Sequence, residues 1–252
     1  MYKEHPIFEK PINENAKIWR YLDFTKFVSL LDKQALFFTR ADMLPDPFEG
    51  SYSKANIRLR PDIYKNLPSS ALGQMSVIFK ELRKFTIINS WHMNEYESAA
   101  MWKLYLKSEE GVAIQSTFKQ LTQSFGKYLD DDVFVGKVKY IDYESEWLPE
   151  GYTFYPFMHK RKSFEHEQEV RAIIQRFPPP IKDEKGDNKL DLNKQVFDLG
   201  AYVAVDLDIL IEKIFVSPTV QNWFNELVKS IVNKYDLKKE VVQSSLADGP
   251  VY

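Results

Sequence analysis

The sequence predicts an α+β fold of the mixed α/β kind: a central mixed β-sheet, whole or split, flanked by helices. Three observations predict it. Strand-like runs and amphipathic stripes are interleaved along the chain but not in strict β-α-β alternation, which favours a mixed sheet over an all-parallel one. Aromatic residues make up 15% of the 252 residues, with 18 Phe and 14 Tyr, enough for a well-packed core. No repeat, low-complexity segment or convincing linker interrupts the chain, so residues 1–252 read as a single domain. Residues 1–16, polar and holding two prolines, read as an irregular lead-in.

The elements follow in order. Lys17 to Leu22 reads as a strand. Phe24, Phe27, Val28 and Leu31 recur at helical spacing, with Asp23 placed to cap the helix. A second strand, Ala35 to Ala41, runs into the loop Pro45-Asp46-Pro47-Phe48-Glu49-Gly50. Met75, Ile78, Phe79 and Leu82 form another helical stripe, and Phe85 to Trp91 a strand. Ser98, Met101, Trp102 and Tyr105 line a helix face that stops before Gly111. Val112 to Gln115 reads as a short buried strand. Phe118, Leu121 and Phe125 predict a helix closed by Gly126.

Val133 to Tyr143 alternates like one long half-buried strand. The charge-dense stretch His159 to Glu169 feeds a strand at Val170 to Ile174, which three prolines end. Lys182 to Lys194 reads as an exposed loop. Ile214 to Val216 is a strand, and Phe224, Leu227, Val228, Ile231 and Tyr235 form a clear amphipathic helix. Val241-Val242 starts a last strand.

Composition narrows the chemistry. With 34 basic and 36 acidic residues the net charge is -2, unlike the basic excess of a dedicated nucleic-acid binder. The absence of cysteine excludes a disulfide framework, a thiolate metal site and a cysteine nucleophile. No apolar signal region follows Met1, and no apolar run approaches the ~18 residues of a membrane span, so a cytoplasmic protein without membrane partners is expected. Walker and dinucleotide glycine loops are missing, as is the G-x-S-x-G elbow of many hydrolases. The histidines are His5, His92, His159 and His166. The last two lie seven residues apart beside Glu165 and Glu169, a pattern better explained by solvated charge than by a metal site, and no metal is expected.

Two blocks can carry chemistry. Ser90 to Trp102 gathers two tryptophans, His92, Asn94 and two glutamates, a composition suited to a pocket for a planar ligand. Its plain alternative is a helix cap beside core aromatics. Lys160 to Arg171 holds Glu167-x-Glu169 at the start of an apolar strand, where a fixed carboxylate can face a developing oxocarbenium ion. Its plain alternative is a surface helix laced by Lys162–Glu165 and Glu167–Arg171 pairs.

Trp19-Arg20-Tyr21-Leu22-Asp23, Phe37-Phe38-Thr39-Arg40-Ala41-Asp42, Asp46-Pro47-Phe48-Glu49-Gly50, Trp91-His92 with Glu97-Ser98 and Met101-Trp102, and Lys162-Ser163-Phe164 with Glu167-x-Glu169-Val170-Arg171 occur in this order. Together with Val216-Ser217-Pro218 and Ser244-Ser245-Leu246, they resemble a widespread bacterial and phage family known as domain of unknown function 2971. Arg20, Phe38-Thr39 and Glu167-x-Glu169 also resemble, in order and element type, the motifs of ADP-ribosyltransferases, although Phe38-Thr39-Arg40 stands where that family has Ser-Thr-Ser.

The second resemblance implies an enzyme that uses NAD as substrate and modifies an unknown macromolecular acceptor, as a toxin or phage-defence effector would. It implies Arg20 on the NAD phosphates or ribose, Glu169 on the nicotinamide ribose and Glu167 on the acceptor. Tyr21 or Trp91 would stack on nicotinamide, with Phe38, Thr39, Arg40 and His92 completing the NAD-binding set. Two other readings stand beside it: a non-enzymatic module binding protein or nucleic acid, and a nuclease holding Mg²⁺ through Asp42, Asp46, Glu49 and Glu97. Convergence separates them. Arg20, Trp91 and Glu169 in one cleft favour the enzyme, acids gathered without Arg20 the nuclease, and dispersed surface charges the binding module.

Overall fold

A computed structural model describes residues 1–106, 108–182 and 186–251. The strands in chain order are β1 (Lys17–Asp23), β2 (Ala35–Arg40), β3 (Thr86–Met93), β4 (Gly111–Thr117), β5 (Phe134–Lys137), β6 (Lys139–Ile141) and β7 (His159–Arg161). They continue with β8 (Glu169–Gln175), β9 (Ile181–Lys182), β10 (Asn188–Lys189), β11 (Gly200–Ala204), β12 (Lys213–Val216) and β13 (Glu240–Gln243). The helices are α1 (Phe24–Lys33), α2 (Lys54–Ile63), α3 (Ser69–Leu82), α4 (Ala99–Tyr105), α5 (Phe118–Ser124), α6 (Leu207–Leu210) and α7 (Asn222–Lys234).

Among the described residues, nine strands form one mixed sheet. Seven run in the order β11-β2-β3-β1-β4-β12-β13, and β8 and β5 branch from β3. All pairs in it are antiparallel except β12 with β13. The expected mixed sheet flanked by helices is what the chain forms.

The branch at β3 positions the site. Along one edge β3 meets β8 from Thr86 to His92. Along the other it meets β2 at Ile87 and Ile88, and β1 only at His92 and Met93. Between these ladders β1 and β2 part. The backbone there is satisfied by side chains, as buried polar groups require: Arg20 Nη1 donates to the Ser90 carbonyl at 2.5 Å, and Asn89 Nδ2 donates to the Phe37 carbonyl at 2.9 Å. A cleft enters at this split.

Period-2 alternation divides β1 between two apolar clusters. Ile18 and Leu22 join the main core with Phe27, Leu31, Phe118, Phe125, Phe224 and Val228. Trp19 and Tyr21 pack with Met101, Trp102 and Ala113. A third cluster, Phe8, Leu82, Phe85, Ile88, Phe157 and Ile173, lies under α3.

Local expectations fare unevenly. Asp23 takes the N-cap position of α1, but its side chain makes no capping hydrogen bond and its carboxylate lies 2.9 Å from Lys26 instead. The helix cap offered as the plain alternative for the Ser90–Trp102 block is present: Ser98 precedes α4 and its Oγ accepts from the Met101 N–H at 3.4 Å. The long strand Val133–Tyr143 is broken: β5 pairs with β8, the Val138 N–H turns to the Glu169 carbonyl, and β6 pairs with β7 in parallel. Gly126 does not end α5 in a left-handed turn, because the chain tightens into a 3-10 turn at Phe125–Lys127.

α7 buries Phe224, Asn225, Val228 and Val232, while Leu227 and Tyr235 from the expected stripe lie on its exposed shoulder. Of the loop 182–194, residues 183–185 lie outside the described residues; Lys182 and Asn188–Lys189 are exposed, and the flanks pair as β9 and β10. No helix among the described residues is long and apolar enough to cross a membrane.

Candidate functional site

The surface-helix reading of Lys160–Arg171 is overturned. Residues Lys162–Glu167 form a 3-10 turn, Gln168 is left-handed at φ 40°, and Glu169 opens β8. The left-handed residue redirects the chain between the two glutamates. A non-glycine residue held there marks backbone fixed by its surroundings, and the Gln168 carbonyl is indeed held by the Met93 N–H at 2.9 Å. The charges therefore turn inward: Lys160, Glu167, Glu169 and Arg171 are all buried.

They form one network with Glu49 from the proline-rich loop. Lys160 Nζ donates to Glu167 Oε2 at 2.6 Å and to Glu169 Oε1 at 2.7 Å. Arg171 is forked on two carboxylates, donating to Glu169 at 2.7 and 3.1 Å and to Glu49 at 2.8 and 2.7 Å. Its Nη1 also donates to the Phe157 carbonyl at 2.8 Å. Buried ions persist only with such pairing.

The two glutamates are driven apart. Burial beside the negative Glu169 raises the Glu167 carboxyl to about 7. Glu169 is buried more completely, yet it is held well below the ordinary carboxylate range because Arg171 and Lys160 outweigh its desolvation. Two neighbouring carboxyls with opposed proton affinities form an acid/base pair in chemical terms.

The network forms one wall of a cleft of about 570 Å³. β1 contributes Arg20 and Tyr21, β2 contributes Thr39, and β3 contributes Trp91 and His92. α4 adds Tyr105, and the loop adds Asp46 and Glu49. Arg20 stands out. Its hydrogen bond goes to a backbone carbonyl, and among the described residues it has no carboxylate partner. Burial lowers its guanidinium to about 10. A half-buried cation with no carboxylate partner, in the wall of an open cleft, can receive an anion from outside.

His92 is complementary. Its Nδ1 lies 2.7 Å from the Glu167 carbonyl, which can only accept, so Nδ1 carries the proton. Its Nε2 is buried with no partner among the described residues, and burial lowers the ring's proton affinity, leaving a neutral acceptor in the cleft wall.

Of the nine residues expected at the site, the cleft brings together Arg20, Tyr21, Thr39, Trp91, His92, Glu167 and Glu169. It does not include two. Phe38 is fully buried in the main core against Phe125, because alternation along β2 turns it away from Phe37 and Thr39. Arg40 is spent on Asp42 and on the carbonyls of Phe197 and Asp198. Tyr21 has an anchored hydroxyl, which accepts from the Ser98 N–H at 2.8 Å, and its ring meets Trp102 edge-on. Trp91 reaches the cleft wall, but its ring is almost fully buried in the main core and offers no open face for stacking, with Nε1 anchored on Asn89 Oδ1 at 2.8 Å.

Lys160, Arg171 and Tyr105 were not singled out for the site. The charge density around Lys160 and Arg171 was the available signal, but pairing over two to nine residues across a turn leaves no periodic trace. Of the four acids of the nuclease reading, Asp46 and Glu49 line the cleft but are tied to Arg161 and Arg171, while Asp42 lies outside it and pairs with Arg40. Glu97 instead accepts from Trp102 Nε1 and from Ser244 and Ser245, tying α4 to the C-terminal segment. Among the described residues no group of three or more His, Asp or Glu is placed to hold a metal ion. Compared with protein-family models, with curated proteins and with solved structures, the chain finds no match in any of the three.

Proposed function

We propose that the cleft binds NAD and that the protein is a cytoplasmic ADP-ribosyltransferase-like enzyme, cleaving the nicotinamide–ribose bond and transferring ADP-ribose to a macromolecular acceptor. One observation carries the reading: Arg20, lacking a counter-ion, shares a single cleft with Trp91 and with two glutamates whose proton affinities are driven apart. Arg20 fits the role of phosphate clamp. Tyr105, exposed on the cleft, supplies aromatic wall for a planar ring. Glu169, kept ionised, is suited to the positive charge that develops on the ribose as the C–N bond breaks and its electrons leave with nicotinamide. Glu167, near neutrality, is suited to take the proton from the acceptor nucleophile, or from water, as the new bond to the ribose carbon forms.

The test is incubation with labelled NAD. Wild type is expected to release nicotinamide. Glu169→Gln keeps the shape and removes the charge, and is expected to cut turnover by about 10²–10³ per folded molecule, measured below a melting temperature that it also lowers because Lys160 and Arg171 lose a shared carboxylate. Arg20→Met is expected to raise KM for NAD more than it lowers kcat. A folded wild type that neither releases nicotinamide nor melts higher with NAD would refute the enzyme and favour a binding module, for which the tightly paired wall is a rigid recognition surface.

A further inference from the structure

A second, smaller pocket of about 190 Å³ lies behind the same loop, lined by Gly50, Ser51, Tyr52, Arg60, Ser76, Phe79, Lys80 and Arg83. Three of its side chains carry buried polar atoms with no partner among the described residues: Tyr52 Oη, Arg60 Nη2 and Arg83 Nε. All three are donors. Orphaned donors are rare in folded proteins and each asks for an explanation. Here three residues, from the loop, α2 and the turn after α3, share one small pocket.

The side chains are fixed in place. Arg60, 3% exposed, lies against the faces of Tyr52 at 4.8 Å and Phe79 at 5.1 Å. Its Nε donates to Glu150 Oε1 at 2.8 Å, and Glu150 is held in turn by Asn56 Nδ2 at 2.9 Å and the Tyr64 hydroxyl at 2.8 Å. That pair neutralises Arg60. Arg83 and the exposed Lys80 have no ion pair among the described residues, so the pocket keeps a positive excess. Gly50, at φ +71°, lets the backbone pass here: a Cβ would fall 2.4 Å from the Phe157 ring and 3.0 Å from Arg83 Cγ.

We propose that this pocket is a binding site for a small oxyanion, inorganic phosphate or a phosphomonoester, distinct from the NAD cleft and independent of what that cleft does. A water would satisfy one or two of these donors. Several acceptor oxygens on one compact anion can serve three unpartnered donors on residues that line one pocket, together with the two unpaired cations there.

The test is the melting temperature of the full chain in inorganic phosphate, referenced to chloride at matched ionic strength. Phosphate is expected to raise it in wild type and still to raise it in Arg20→Met, which removes the cation of the larger cleft and any share of phosphate that it takes. Arg83→Met is expected to weaken the apparent Kd about ten- to a hundredfold, the worth of a hydrogen bond to a charged group. Tyr52→Phe, which removes only a hydroxyl, is expected to weaken it less and serves if the arginine variant fails to fold. Glycerol 3-phosphate beside inorganic phosphate assigns the source by which binds tighter. No rise beyond chloride, an equal rise in wild type, Arg83→Met and Tyr52→Phe, or a rise lost only in Arg20→Met overturns the site.

Discussion

Glu167 and Glu169 stand two residues apart and share Lys160, yet one is pushed toward neutrality and the other toward permanent ionisation. The consequence for stability has a definite sign. Glu167 has a folded value of about 7 against an ordinary 4.5, so between these the native state binds more protons than the unfolded chain. Its contribution is fully present below pH 4.5 and is lost as pH rises through about 7. Glu169 behaves oppositely: its contribution is present above pH 4.5 and is lost as pH falls through its depressed folded value. Glu167→Gln should therefore raise the melting temperature at pH 8 and leave it nearly unchanged at pH 5. The gain at pH 8 is on the order of 1–3 kcal/mol, since each tenfold change in proton affinity is worth about 1.4 kcal/mol before solvent screening reduces it. Equal effects at the two pH values would remove Glu167 as the titrating group. If Glu167 is also the base, transfer rates of wild type climb with pH to about 7 and level off, and the climb is absent in Glu167→Gln.

At the scale of elements, the cleft exists because β1 and β2 part along β3, and Asn89 is the residue that makes the parting tolerable. Buried at the split, it donates to the Phe37 carbonyl and accepts from Trp91 Nε1. Asn89→Ala strands a carbonyl and an indole N–H together. It should cost about 1–3 kcal/mol per stranded group at most, and should free the Trp91 ring. Chemical denaturation and tryptophan fluorescence read both effects; an unchanged midpoint with unchanged fluorescence would show that the split needs no such brace. The same strand pattern explains why Phe38 left the expected site: Phe37 and Thr39 face the cleft, so their neighbour must face the core.

At the scale of the molecule, α7 and β13 are integral to the sheet. Phe224, Val228 and Val232 are buried in the main core, and β13 completes the edge beside β12. Ser244 and Ser245 also hold Glu97, which fastens α4 near the cleft. Deleting residues 219–252 removes all of this at once, uncovering an apolar face and opening Glu97. The truncated chain is expected to lose its cooperative thermal transition by circular dichroism. A folded, monomeric remainder would mean that these residues form a separable unit.

The sequence by itself determined most elements and the class of the fold. Apolar spacing along α1, α3, α4 and α7 and the short apolar runs at β3, β4 and β8 are local properties that a segment carries by itself. α2, α6 and β11 were not foreseen: α2 buries Ala55, Asn56 and Arg60, and β11 buries only Val203, so neither carries an apolar stripe. The sequence also singled out seven residues that the cleft gathers, through Arg20, Trp91-His92 and Glu167-x-Glu169. Only the tertiary structure decided what those charges are. Whether Glu169 is a solvated surface acid or a buried ion depends on Arg171 two residues on, Lys160 nine residues back and Glu49 more than a hundred residues away. It also depends on one left-handed residue, Gln168, that turns the chain. Burial and pairing belong to the packed whole, and a pattern of charges along the chain contains neither.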